Sequence, residues 1–140
     1  MLLQAVACRA EPRVTITTNG SRELSFSVEV ADTPAKRELG LQYRRNLAPE
    51  RGMIFVFPAE SDHAFWMKNT PIPLDMIFIN SAGKIVGIVE QAVPFSTDSR
   101  SVSGASRFVL EINGGLSERH GIKVGDSVHF HGFTESPITE

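Results

Sequence analysis

At 140 residues the chain has room for one ordinary domain and not for two. Hydrophobic residues make up 41% and charged residues 21%, a globular balance that excludes a disordered or collagen-like chain. Lys plus Arg is 14 and Asp plus Glu is 16, so the net charge of -2 argues against a general nucleic-acid binder, and the single cysteine excludes an internal disulfide and a Cys-rich zinc site.

The chain opens on the apolar stretch MLLQAVAC. Ala5 and Ala7 make an A-x-A pattern just before Cys8, as at a signal-peptidase site. Small residues before Cys8 also resemble a bacterial lipoprotein attachment site, although Ala5 stands where Leu is usual. The expectation is an exported protein, periplasmic or anchored by lipid at Cys8; the plain alternative is a frayed terminus on a cytoplasmic protein. No apolar run reaches the ~20 residues that span a bilayer. Residues 1–12 read as a flexible N-terminus or signal-peptide remnant, 13–133 as one β-rich domain, and 134–140 as a polar tail.

Period-two patterning dominates from Val14 onward. Val14, Ile16 and Thr18 alternate with polar residues, Asn19-Gly20 supplies a turn, and Leu24, Phe26, Val28 and Val30 alternate in turn, which predicts a hairpin. Thr33-Pro34 predicts a short helix with Thr33 as N-cap, Pro34 at the first position and Gly40 as its stop. Met53 to Phe57, bounded by Gly52 and Pro58, is apolar throughout and reads as a strand buried on both faces. His63 to Met67 reads as another short strand. Leu74 to Asn80 and Ile85 to Gln91 flank Ser81-Ala82-Gly83 as a second hairpin. Ser106 to Ile112 reads as a strand, a short helix ends near Gly121, and Val128 and Phe130 point one way along the last strand. The expected fold is mainly β, a small single-domain β-sandwich or barrel of about eight short strands with two short helices.

The densest chemistry lies between Phe65 and Asp75. One segment holds the only Trp (Trp66), Lys68, Asn69, Thr70 and Asp75 around a turn stiffened by Pro71 and Pro73. Asp75 shares a strand face with Ile77 and Ile79, so its carboxylate needs a partner, with Lys68 or an arginine as candidates. The segment reads either as a pocket with an aromatic wall and polar anchors, or as scaffold in which Trp66 is core and Asp75 ties down a turn through backbone N–H groups.

Three weaker constellations stand beside it. Asp75, Glu90 and Glu111 lie on predicted strands, Glu90 on a face with Val86 and Ile88, and Glu111 with Val109. A converging pair would suit general acid–base work on a glycoside; otherwise they are rim charges facing Arg107 or Lys84. His129 and His131 share a face and could bind zinc with His120 or His63, but that face lies opposite Val128 and Phe130 and reads as solvated surface. Lys36, Arg37, Arg44, Arg45 and Arg51 form a basic run that Glu11, Glu38 and Glu50 dilute. Phosphate-loop, nucleophile-elbow and H-E-x-x-H signatures do not occur in the chain.

Taken in order, Glu38-Leu-Gly-Leu-Gln-Tyr-Arg44, Gly52-Met-Ile-Phe-Val-Phe57, Phe65-Trp-Met-Lys-Asn-Thr70, Ile72-Pro-Leu-Asp-Met-Ile-Phe78, Val109-Leu-Glu111 and Gly121-Ile-Lys-Val-Gly-Asp126 closely resemble the prokaryotic family called domain of unknown function 192. The resemblance runs from about Val14 to Phe130; the family often has Met where this chain has Gln42. It implies one mainly-β domain, often behind a signal peptide or lipid anchor, and no established activity, cofactor or catalytic residue. The positions that match its motifs and point to a pocket are Arg44, Trp66, Lys68, Asn69, Thr70 and Asp75.

These observations favour an envelope-side binding or accessory module whose partner is a small ligand or envelope component, with no metal and no cofactor. A small hydrolase using Asp75 with Glu90 or Glu111 is the second expectation. A nucleic-acid-binding regulator, suggested by the strand–turn–strand look of Gly121 to Val128, is the third.

Overall fold

A computed structural model describes residues 11–135 of the chain. The expected lipid attachment at Cys8 and most of the expected 1–12 segment lie outside the described residues, as does most of the tail. Seven strands and two short helices succeed one another in the order β1 (Arg13–Thr18), β2 (Arg22–Ala31), α1 (Pro34–Leu39), β3 (Arg51–Ser61), β4 (Leu74–Ile79), β5 (Ile85–Ala92), β6 (Ser106–Asn113), α2 (Leu116–His120) and β7 (Ser127–His131).

The local signals act as their chemistry requires. Asn19 and Gly20 both take positive φ, 49° and 79°, and turn β1 back onto β2. Thr33 caps α1 by accepting a hydrogen bond from the Lys36 amide at 3.2 Å, with Pro34 in the first turn. Gly40 ends the helix at φ 51° and lies close under the Phe55 ring.

All strands join one sheet in the order β5-β4-β6-β3-β2-β1-β7. Every neighbouring pair is antiparallel except β2 and β3, which run parallel and need the long connection through α1. The sheet curls until its outer strands meet at one end, where Lys84 bridges Ser127 and the Val128 amide donates to Gly83 O at 2.7 Å. The result is a mainly-β half-barrel, one curled sheet rather than two stacked ones.

Two apolar clusters sit on its two faces. All seven strands feed the inner one, including Ile16, Phe26, Ile54, Ile77, Phe108 and Val128. The outer cluster covers only the middle of the sheet, where Met53, Phe55, Met76, Phe78 and Val109 lie beneath Leu41, Met67 and Ala92. Middle strands are therefore buried on both sides, as the unbroken Met53–Val56 and Leu74–Ile79 runs show.

Three expectations are corrected. His63 to Met67 forms no strand: it crosses the outer face and meets the rest of the chain at single points, Phe65 pairing with Arg100 and the Met67 amide donating to Ser96 O. That is why seven strands form and not eight. Pro58 does not end β3, which continues to Ser61 through an irregularity after Val56, where a residue without an amide hydrogen is tolerated. The third concerns β5, where register shifts break strict alternation, so Val86 packs on the outer cluster and Ile88 on the inner one.

Candidate functional site

The segment 63–72 crosses the outer face of the sheet and leaves a cavity beneath it. Its upper wall comes from Phe65, Trp66, Lys68 and Thr70, its side from the end of α1 and residues 40–42, and its floor from Phe55 and Glu111. The volume is about 270 Å³, just below the usual small-molecule range of roughly 300–1,000 Å³.

Local structure explains the shape. The Asn69 backbone takes φ 53°, a left-handed conformation that Asn tolerates better than most residues. Its side-chain amide donates to Gln42 Oε1 at 3.2 Å and to Tyr43 Oη at 3.1 Å, while its carbonyl accepts from the Tyr43 amide at 2.7 Å. Asn69 thus clamps the 63–72 segment to the exit of α1. Thr70, buried, donates from Oγ1 to Lys68 O and accepts the Phe95 amide on its own carbonyl. Tyr43, Asn69 and Phe95, all at positive φ, line an adjoining cleft in which both aromatic rings are exposed.

The residues expected to form a site part company. Trp66, Lys68 and Thr70 line the cavity together, with Asn69 beside it. Trp66 is 50% exposed and is not core; the Lys68 ammonium lies 5.1 Å from its ring centre. Arg44 points elsewhere, pairing in a fork with Glu29 at 2.8 Å for each bond in a cleft next to Arg51 and Gly52. That pairing holds the Glu29 carboxyl below its usual range, chiefly through the hydrogen bond from Arg44.

Asp75 is fully buried, and neither Lys68 nor an arginine is its partner. Its Oδ1 accepts the amides of Gln91 at 2.8 Å and Gly115 at 3.0 Å, and its Oδ2 accepts that of Ser117 at 2.8 Å. The carboxylate ties the irregular end of β5 and the start of α2 to β4, which is the scaffold role.

Glu111 takes the opposite position. It pairs with Met76 and Met53 across the sheet, on the outer face with Val109 as expected. It is 4% exposed, and no group among the described residues donates to its carboxyl. Burial alone pushes the carboxyl up to about 8, which favours its protonated form at neutral pH. Arg107 is engaged with Phe57 O and Glu135 O, and Lys84 with Ser127, so neither pairs with Glu111. Sequence reasoning named Glu111 among the strand carboxylates without placing it in this site. The available signal was a carboxylate on a face with Val109, inside the otherwise apolar run Phe108 to Ile112.

The paired-carboxylate arrangement does not assemble. Asp75 faces the inner side beside Ile77, Glu111 faces the outer side, and Glu90 lies at the partly exposed edge of β5. Among the histidines, His129 and His131 are exposed on β7, while His63 stacks on Phe57 with ring centres 3.7 Å apart. Burial pushes the His63 imidazole down. No three His, Cys, Asp or Glu side chains among the described residues come together as a metal set. The basic run is dispersed into separate contacts: Lys36 with Asp32, Arg37 with Val56 O and the Phe57 ring, Arg44 with Glu29. No helix among the described residues is long and apolar enough to cross a membrane.

Comparison with known proteins agrees with the motifs. The family model described as Uncharacterized ACR, domain of unknown function 192, matches residues 14–130. A crystal structure from Sinorhizobium meliloti 1021, described as that of a candidate transcription regulator, is 40% identical, with a TM-score of 0.84 over 92% of this chain and 100% of that one. A protein of unknown function from Novosphingobium aromaticivorans is 36% identical, with a TM-score of 0.81 over 92% of this chain and 99% of that one. No curated protein matches the chain.

Proposed function

Because the chain belongs to the domain of unknown function 192 family, which carries no assigned activity, we propose from its geometry that it is a binding or accessory module that takes a small ligand in the cavity under residues 63–72. One observation carries this reading: Glu111, a carboxyl on the apolar outer face with no hydrogen bond from the described residues, opens into the floor of that cavity. With no partner from the sheet, its oxygens open onto the cavity and are left to a guest there or to water. The half-exposed Trp66 and the Lys68 ammonium at the mouth are recognition groups of the kind such sites use. The Ala5-x-Ala7-Cys8 start supports placing the module on the envelope side.

The test uses Trp66 emission, since the chain has one Trp. Divalent metals, glycans, nucleotides and short peptides are titrated in turn. A saturable shift with one class, lost in Glu111→Ala, supports the module; no response to any of these or to small carboxylates and amides removes it.

The description of the S. meliloti relative favours a second reading, a nucleic-acid-binding regulator. The net charge of -2 and the dispersal of the basic run weigh against it. Salt-sensitive retardation of duplex DNA would reinstate it.

A further inference from the structure

We propose that the cavity selects ligands that bring a hydrogen-bond acceptor, a carboxylate or carbonyl oxygen on a small apolar body, to Glu111, with Lys68 supplying the complementary charge at the mouth. This rests on the binding-module reading of the same cavity and names its ligand class.

The Glu111 carboxyl sits among apolar groups. Its cross-strand neighbours are Met53 on β3 and Met76 on β4, and Phe55 and Phe65 complete an apolar wall. The charges that share its face of the sheet are engaged elsewhere: Glu29, in the same row across Met53, is paired with Arg44, Arg107 is turned to Phe57 O, and Arg51 lines the Arg44 cleft. The charged groups that share the cavity are Arg37 and Glu38 from α1 and Lys68 from the overlying segment. The neutral carboxyl is therefore a donor waiting for an acceptor, and the mouth carries one more positive charge than negative.

A cationic ligand fits these surroundings badly. It would have to ionise Glu111 in an apolar setting and pass Arg37 and Lys68. The rings that would attract it are already faced by cations, Phe57 by the Arg37 guanidinium at 5.5 Å and Trp66 by Lys68 at 5.1 Å. An acceptor ligand meets none of these costs. It gains the Glu111 O–H, and if anionic it gains Lys68 as well.

The experiment compares three probes with one phenyl body: phenylacetate, phenylacetamide and phenethylamine. Binding to the full chain is read by Trp66 emission and by NMR line broadening of the probe from pH 6 to pH 10. Phenylacetate and phenylacetamide should bind, and phenethylamine should not. Affinity for phenylacetate should hold to about pH 8 and then fall roughly tenfold per pH unit as Glu111 loses its proton. Glu111→Gln keeps an N–H donor, so it should bind phenylacetate without that fall. Lys68→Met, at an exposed position, should weaken phenylacetate several-fold and leave phenylacetamide unchanged. Preferential binding of phenethylamine, or phenylacetate binding that ignores pH 8 in the unaltered chain, overturns the proposal. If none of the three binds, the acceptor class is also overturned; a saturable Trp66 response to another ligand class would then leave the module reading standing.

Discussion

Asp75 and Glu111 lie on neighbouring strands one register position apart, Asp75 opposite Ile112 and Glu111 opposite Met76, and they face opposite sides of the same sheet. Pleating alone gives the two carboxylates different lives. Asp75 is saturated by three backbone amides, and Glu111 has no donor among the described residues.

Asp75→Asn keeps the shape and replaces one acceptor oxygen by an NH₂ group, which then faces a backbone N–H. Stability should fall by about 1–3 kcal/mol, the range for an upset buried charged hydrogen bond. Urea midpoints of the two proteins measure it. An unchanged midpoint would mean that the one oxygen Asn retains serves the amides as well and the charge contributes nothing.

Glu111 makes stability depend on pH with a definite sign. Its folded pKa is raised from 4.5 to about 8, so between those values the folded chain holds a proton that the unfolded chain has released. Stability contributed by this group is therefore complete below about pH 4.5, declines as pH rises, and levels off above about pH 8. The slope is at most roughly 1.4 kcal/mol per pH unit. Glu111→Gln should flatten the profile and be the more stable protein at pH 8, as thermal unfolding across pH 4 to 9 would show.

Asn69 combines a left-handed backbone with a side-chain clamp on Gln42 and Tyr43. Asn69→Gly removes the clamp and keeps the backbone at ease, whereas Asn69→Ala removes the clamp and adds strain of about 1 kcal/mol. The Ala variant should be the less stable of the two. Equal stabilities would show that the φ of 53° carries no cost here.

The Arg44–Glu29 fork is about half exposed at each end. A double-mutant cycle with Arg44→Ala and Glu29→Ala should give a coupling below about 1 kcal/mol that shrinks in 1 M salt. Probe binding at the Trp66 cavity should be unchanged in Arg44→Ala, because Arg44 lines a different cleft.

At Gly52, β3 leaves no room for a side chain beside β6. A Cβ added there would sit 2.5 Å from the Glu111 carbonyl oxygen, which belongs to the ladder and has little room to yield. Gly52→Ala should cost about 1–3 kcal/mol. Amide exchange should quicken in β3 and β6 before the β1–β2 hairpin.

What the sequence determined by itself were the features whose physics is local. The Asn19-Gly20 turn needs positive φ, the Thr33-Pro34 start needs a cap and a fixed φ, and the apolar runs at Met53 and Leu74 need cover on both faces. The Trp66–Thr70 segment was legible as the wall of a site because aromatic and polar groups crowd together just before rigid prolines. Tertiary structure alone decided the partners. Which strands pair fixed the opposite faces of Asp75 and Glu111, and the irregularities in β5 broke an alternation that the sequence keeps. The fate of His63 to Met67 was also non-local, because its β pattern comes from residues that cover the outer cluster from above rather than from a ladder of backbone bonds. Glu111 entered the site for the same reason: a carboxyl becomes a cavity floor only when a loop from 63 to 72 closes over it, a contact between residues some forty positions apart.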